Sequence, residues 1–258
     1  MPLLALIGLL IWQWRAPATG ALSLLLPRPT AIWSRWLSVI ASGELSSDVA
    51  ITAAEIALGF AFGVGTAFAL GYAVARSRTL ETVAGPYIVA FQALPIVAIA
   101  PALILWLGPG LVSNSLICAF IVFFPMLVST IVGIKGVGSD DRMLMRSFAA
   151  NRWQVFRRLE LPAALPTLFG GLQISMTLAV AGAVVAEAVT PLGGLGSLLY
   201  AARSQYDLPL TFVAVLTLVA FRLALYGIVT GLERIMLAGR TSTDLPDGQP
   251  LLPHGEGR

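Results

Sequence analysis

The sequence predicts an all-α, polytopic membrane protein with five to six transmembrane helices, and two observations predict it. The chain is 57% hydrophobic and only 11% charged, with a mean hydropathy of +0.87, whereas soluble domains carry about 25% charged residues. The charges also cluster, and between them lie apolar runs that reach the roughly 18 residues needed to cross a hydrocarbon core about 30 Å thick as a helix. The net charge of +3 and the isoelectric point near 9.4 fit arginines gathered in cytoplasmic loops and do not argue for nucleic acid. Cys118, the single cysteine, sits in an apolar run and can form no disulfide within the chain. The single histidine, His254, lies far away in the polar tail, so no metal site, nucleophilic pair or cofactor is expected.

The elements follow in chain order, within one domain spanning 1–258. Residues 1–14 are apolar until Arg15 and Pro17 interrupt, a run short for a span, with Trp12 and Trp14 suited to an interfacial anchor. It lacks the basic flank of a signal peptide and decides between six spans and five. Pro27 and Pro29 make 26–30 a loop, because neither can continue a helix. An amphipathic segment follows at 31–40. The stronger spans are 49–75, with Glu55 its one charge; 83–107, uncharged but holding Pro86, Pro95 and Pro101; and 110–134, with Pro125. A polar, arginine-rich segment occupies 135–166. The last two spans are 167–189, with Glu187 near its end, and 208–232, with Arg222 inside it. A polar tail covers about 239–258.

Charge placement orients these spans. With the N-terminus inside, Arg76, Arg78, Lys135, the arginines from 142 to 158, and Arg234, Arg240 and Arg258 are cytoplasmic, while only Arg15, Arg28, Arg35 and Arg203 fall outside. The reverse orientation would oppose the positive-inside rule. Both termini are therefore expected in the cytoplasm.

The cytoplasmic segment 135–166 concentrates the chemistry. On a helical wheel Met145, Phe148, Ala149, Val155, Phe156 and Leu159 share one side, with Arg146 and Arg157 opposite. Arg152 would fall in the middle of the apolar side, so two short helices with a break near Ala150-Asn151 are expected. Two readings fit an exposed aromatic knob ringed by arginines: docking into a protein groove, or an interfacial helix lying on anionic lipid.

This segment resembles the cytoplasmic coupling loop of binding-protein-dependent ABC importer permeases, whose motif reads Glu-Ala-Ala, three residues, Gly, nine residues, Ile-x-Leu-Pro. The spacing matches Met143-Leu144-Met145, then Ala149, then Leu159-Glu160-Leu161-Pro162. The acidic residue is missing at Met143, and Ala149 stands in the place of the glycine. The run Asn151-Arg152-Trp153-Gln154-Val155-Phe156-Arg157-Arg158 into Leu161-Pro162-Ala163-Ala164-Leu165-Pro166 is similar to the nitrate, sulfonate and taurine branch, which also includes transporters of pyrimidine thiamine precursors. Ala93-Leu94-Pro95, Phe123-Phe124-Pro125, Ala186-Glu187 and Gly194-Leu195-Gly196 agree with that branch along nearly the whole chain; Glu55, where the branch usually has a basic residue, departs from it.

The resemblance implies a type I ABC importer permease of the bacterial inner membrane. Two copies would pair as a homodimer around a pathway and an ATP-binding ABC dimer would dock below. An extracytoplasmic solute-binding protein would deliver cargo above, and alternating access would move it. Phe148, Ala149, Arg152, Trp153, Phe156, Arg157, Leu161 and Pro162 would form the coupling element. The chain has no Gly-x-x-x-x-Gly-Lys-Ser/Thr run and so is not expected to hydrolyse ATP itself, and Gly193-Gly194-Leu195-Gly196 reads as a tight external turn.

Candidate pathway residues are Gln92, Pro95, Asn114, Gln173, Glu187 and Arg222. The prolines are either kinks satisfied by neighbouring helices or breaks that line the path. Glu187 reads first as an interfacial carboxylate near the outer surface with no special role, while Arg222, deep in a span, calls for a partner or an aqueous cavity. A secondary transporter or channel would carry more intramembrane ionisable residues for ion coupling, and an intramembrane enzyme would need a nucleophile–base or metal set that the sequence does not show. Cargo is expected among sulfonates, nitrate-like anions and small heteroaromatic vitamin precursors, with a lean toward the last.

Overall fold

A computed structural model describes residues 11–14, 27–190 and 192–237. The short apolar run at 1–14 is therefore described only as a helical turn at its end, and the polar tail lies outside the described residues. Among the described residues the secondary structure is entirely helical.

Helix α1, Pro29–Ala41, begins with proline at its first position, where the missing N–H would be unpaired anyway. Helix α2 spans Glu44–Arg76, α3 Arg78–Gln92, α4 Ile96–Leu107 and α5 Leu111–Lys135. In the loop, α6 covers Ser139–Ser147 and α7 Arg152–Val155. A π-turn at Phe156–Glu160 joins α7 to α8, Leu161–Val189; α9 is Leu195–Ser204 and α10 Leu208–Leu237.

Among the described residues four helical stretches are long and apolar enough to cross a membrane: α2, α5, the continuous run from Arg152 to Val189, and α10. The expected span at 83–107 is instead two helices, α3 and α4, bent by 93°. The physical cause is Pro95, which has no N–H to donate and pushes Leu94 out of the helical region; its carbonyl then accepts Ala98 N at 2.9 Å and starts α4 afresh. Counted as one broken span, the pair brings the total to five.

Helices α2, α5 and α8 form the centre. With lipid on the outside there is little hydrophobic drive between helices, so close backbone approach at small residues takes its place. Gly59, Gly63, Ala67 and Gly71 recur every four residues along α2 and face α5. A Cβ at Gly63 would lie 2.6 Å from the Ala119 carbonyl oxygen, and one at Gly59 would lie 2.5 Å from that of Ser115. On the far side of α5, Gly171 of α8 meets Ser129 with equal closeness. Ile56, Cys118, Val122, Ala179 and Ala183 fill one half of the central core, and Ala67, Met126, Ile134, Ala164 and Leu168 the other. The outer faces of α2, α4 and α10 stay apolar and exposed at Phe62, Leu105, Trp106, Leu223 and Ile235, as a lipid-facing surface requires.

Cys118 is fully buried, so a thiol-reactive dye reports unfolding in detergent. Gly63→Ala is expected to lower the midpoint of dye labelling by several degrees, an overpacking cost of about 1–3 kcal/mol. Gly65→Ala, which meets nothing within 4 Å, leaves it in place. Equal midpoints would mean that the α2–α5 seam is not close-packed.

Candidate functional site

The loop between α5 and α8 is built by local chemistry. Asp140 and Asp141 lie in the first turn of α6 and Arg146 in its last, each complementing the helix dipole. The helix stops because Ala149 turns left-handed, at φ 52°, with Ala149 N donating to Arg146 O at 2.9 Å and Ala150 N to Met145 O at 3.1 Å. That is a Schellman-type end, whose turning residue is usually glycine; an L-residue there costs about 1–2 kcal/mol. The glycine of the loop motif thus has a backbone reason, and Ala149 accepts the same bend at a cost. Asn151 then restarts the chain: its side chain accepts Gln154 N, and the Gln154 side chain accepts Asn151 N, both at 2.8 Å. The break expected near Ala150-Asn151 is present.

Pro162 cannot donate an N–H into the first turn of α8, and the backbone widens there into the π-turn, with Leu161 N donating to Phe156 O. This insertion places Glu160 inside the protein, fully buried. Its carboxylate meets Arg76 Nη1 at 2.8 Å, Arg142 Nε at 3.3 Å and the Tyr72 hydroxyl, which donates at 3.1 Å. Arg142 also donates through Nη2 to Ile134 O at the end of α5, at 2.5 Å. Lys135 and Glu81 form an ion pair between α5 and α3. One carboxylate therefore ties the root of α8 to α2 and, through Arg142, to α6 and α5.

Phe148, 74% exposed, and Trp153, 62% exposed, project from the loop, and Ala149, Arg152 and Arg157 are exposed beside them. Phe156 departs from the expectation of a free aromatic. Its ring is half-buried against the chain, edge-on to Tyr72 with centroids 5.0 Å apart and next to Phe68 at 6.4 Å, because the π-turn rotates it inward. Leu161 and Pro162 are half-buried at the root of α8.

The residues expected along a path separate into two groups. Gln92 and Pro95 are exposed at the α3–α4 break, and Gln92 borders a cavity shared with Pro125 and Ile174. Arg222 is exposed near the middle of α10. Gln173 donates to Glu233 Oε2 at 2.6 Å and joins α8 to α10. Asn114 and Glu187 are 2% and 1% exposed. Both are buried inside a polar network that joins α2, α5 and α8.

That network closes the other end of the bundle. Glu187 accepts from Thr52 Oγ1 at 2.6 Å and from Gly196 N at 2.5 Å; Asp48 accepts Gly194 N, and Thr52 Oγ1 accepts Leu195 N, both at 2.9 Å. The first N–H groups of α9 are thus capped by side chains of α2 and α8, where a helix N-terminus favours negative charge. Gly194 wraps so closely on Glu187 that no Cβ fits, and its φ of 103° favours glycine independently. Asn114 donates to Glu55 Oε1 at 2.7 Å and accepts from Thr190 Oγ1 at 3.0 Å. Glu55, which the sequence marks as the one charge in its span and a departure from the branch's pattern, is a buried member of this network. Glu160 and Asp48 were missed altogether. Glu160 occupies the variable position of Leu-x-Leu-Pro, and nothing in one sequence marks it for burial.

Residues 59–237 match the family described as binding-protein-dependent transport system inner membrane component. The chain is similar to a riboflavin transport system permease protein of Chloroflexus aurantiacus, 38% identical over 94% of this chain and 90% of the relative. It is also similar to a formylaminopyrimidine transport permease protein of Halalkalibacterium halodurans, 29% identical over 90% and 92% of the two chains. A taurine transport system permease protein of Escherichia coli is 28% identical over 85% and 83%.

Glu187→Ala strands Gly196 N–H and the Thr52 hydroxyl without their acceptor, at about 1–3 kcal/mol for each buried group left unpaired. Its midpoint for Cys118 labelling is expected well below that of Glu187→Gln, which keeps an acceptor. Equal midpoints would show that these hydrogen bonds contribute nothing.

Proposed function

We propose that this chain, which belongs to the binding-protein-dependent transport system inner membrane components, forms half of a homodimeric pathway for a small heteroaromatic solute and is driven through its 135–166 loop by an ATP-binding partner. As a member it is an ABC transporter permease, a multi-pass inner-membrane transport subunit that works with ATP-binding and solute-binding proteins. The observation that carries the proposal is the loop itself, which offers Phe148 and Trp153 outward while Glu160 anchors its root to α2 and α8. Aromatic side chains beside arginines are what interface hot spots use, and the anchor gives a docked partner leverage on the bundle.

The loop faces the cytoplasm with both termini, as the arginine asymmetry requires. ATP-driven movement of the partner pulls Phe148 to Arg157, the Glu160 cluster carries that pull into α2 and α8, and the bundle rocks between outward and inward openings as a rigid unit. Gln92, Pro95 and Arg222 border the pathway. Arg222 makes no hydrogen bond or ion pair among the described residues. A mid-span guanidinium rarely faces lipid, so it points to the second copy or to the aqueous path between the two. A heteroaromatic cargo is supported by likeness to permeases named for riboflavin and formylaminopyrimidine transport.

In vesicles holding the assembled importer, Phe148→Ala and Trp153→Ala are expected to abolish the stimulation of ATP hydrolysis by loaded binding protein. Each aromatic anchor contributes about 2 kcal/mol or more, roughly thirtyfold in affinity. Normal stimulation in both variants would refute the docking role, and a binding protein that ignores riboflavin and pyrimidines would refute the cargo.

A further inference from the structure

A cavity of about 570 Å3 lies between the end of α2, α6 and α7, and four of its walls are arginines: Arg76, Arg142, Arg146 and Arg152. Among the described residues the one carboxylate bonded to any of them is Glu160, which engages Arg76 and Arg142. Arg146 and Arg152 have no hydrogen-bond or ion-pair partner among the described residues. Arg142 Nε, although 3.3 Å from Glu160, is misaligned for a hydrogen bond and is buried with no acceptor. Four guanidinium groups around one cavity, only two of them engaged by a carboxylate, repel one another unless an anion enters, and their planar forks match a carboxylate or phosphate.

We infer that this cavity receives an acidic side chain of the ATP-binding partner, held by Arg146 and Arg152. The inference rests on the docking role proposed above and adds the chemistry of the contact. A protein carboxylate is favoured over a lipid headgroup by placement. Arg146 lies in loop helix α6 and Arg152 at the first position of the run that continues into α8, and in the chain they flank the turn between the two exposed aromatics, Phe148 and Trp153. Charge and anchor therefore present themselves to the same surface. The charged contact fixes register while the aromatics supply buried area.

The test titrates purified ATP-binding subunit onto the permease in nanodiscs of phosphatidylcholine, and again with phosphatidylglycerol added. Arg146→Gln/Arg152→Gln is expected to weaken binding about tenfold or more at low salt and to flatten its salt dependence, in both lipids. Arg146→Lys/Arg152→Lys should recover part of the loss, and Cys118 protection verifies folding. Unchanged affinity in the glutamine variant overturns the inference. If that variant instead loses only bound phosphatidylglycerol, or inorganic phosphate in a parallel titration, the cavity serves an anion of another source and the inference falls. Trp153→Ala separates the two levels: weakened by it but not by the arginine changes, docking stands without the carboxylate; weakened by neither, both fail.

Discussion

A carboxylate fully withdrawn from water at the root of α8 sets the terms for the cytoplasmic half of this protein. Taking Glu160 out of solvent costs several kcal/mol, which its ion partners and hydrogen bonds must offset; removing one partner of such a cluster costs about 3–5 kcal/mol. Arg76 and Tyr72 come from α2, and Arg142 comes from α6 while holding the last turn of α5 by its carbonyl. The loop cannot tilt without disturbing that arrangement. Tyr72 extends the constraint, since its hydroxyl serves Glu160 and its ring receives Phe156. Trp153 is joined to the same cluster by ring contacts through Phe156 and Tyr72.

The opposite end obeys the same logic with different chemistry. There α2 and α8 extend Asp48, Thr52 and Glu187 to the N–H groups that begin α9, so a connection that would otherwise be a flexible turn is pinned at three successive residues. Between the two ends runs the glycine seam of α2 against α5. Polar clamps at both ends and close backbone contact in the middle hold α2, α5 and α8 together. The bent α3–α4 pair and α10 lie at its periphery.

Much of this was legible beforehand. Apolar run length located the spans, and the clash of Arg152 with the apolar face of a continuous helix located the break at Ala150-Asn151. Motif spacing singled out Ala149, and the structure supplies the reason in its left-handed φ. What escaped was whatever depends on partners distant in sequence. Glu187 lies near the end of its span and reads as interfacial, yet it is buried because α9 folds back over it. Asn114 was polar enough to suggest a path, and its hydrogen bonds to Glu55 and Thr190 could not be read from one sequence. Phe156 fits an exposed knob until the π-turn, a consequence of Pro162, rotates it inward. The four-residue spacing of Gly59, Gly63, Ala67 and Gly71 was visible in the sequence and is a signal that could have identified the α2–α5 contact.

Coupling in this protein depends on whether Glu160 transmits loop movement to the bundle. The most direct measurement is solute taken up per ATP hydrolysed in vesicles carrying the assembled importer, for wild type and for Glu160→Gln, a change that keeps the volume and an acceptor for Tyr72 but removes the charge that holds Arg76 and Arg142. The prediction is continued ATP hydrolysis with uptake per ATP reduced about tenfold or more, as expected when roughly 1.4 kcal/mol or more of coupling is lost. An unchanged ratio in a variant whose Cys118 remains protected would contradict it.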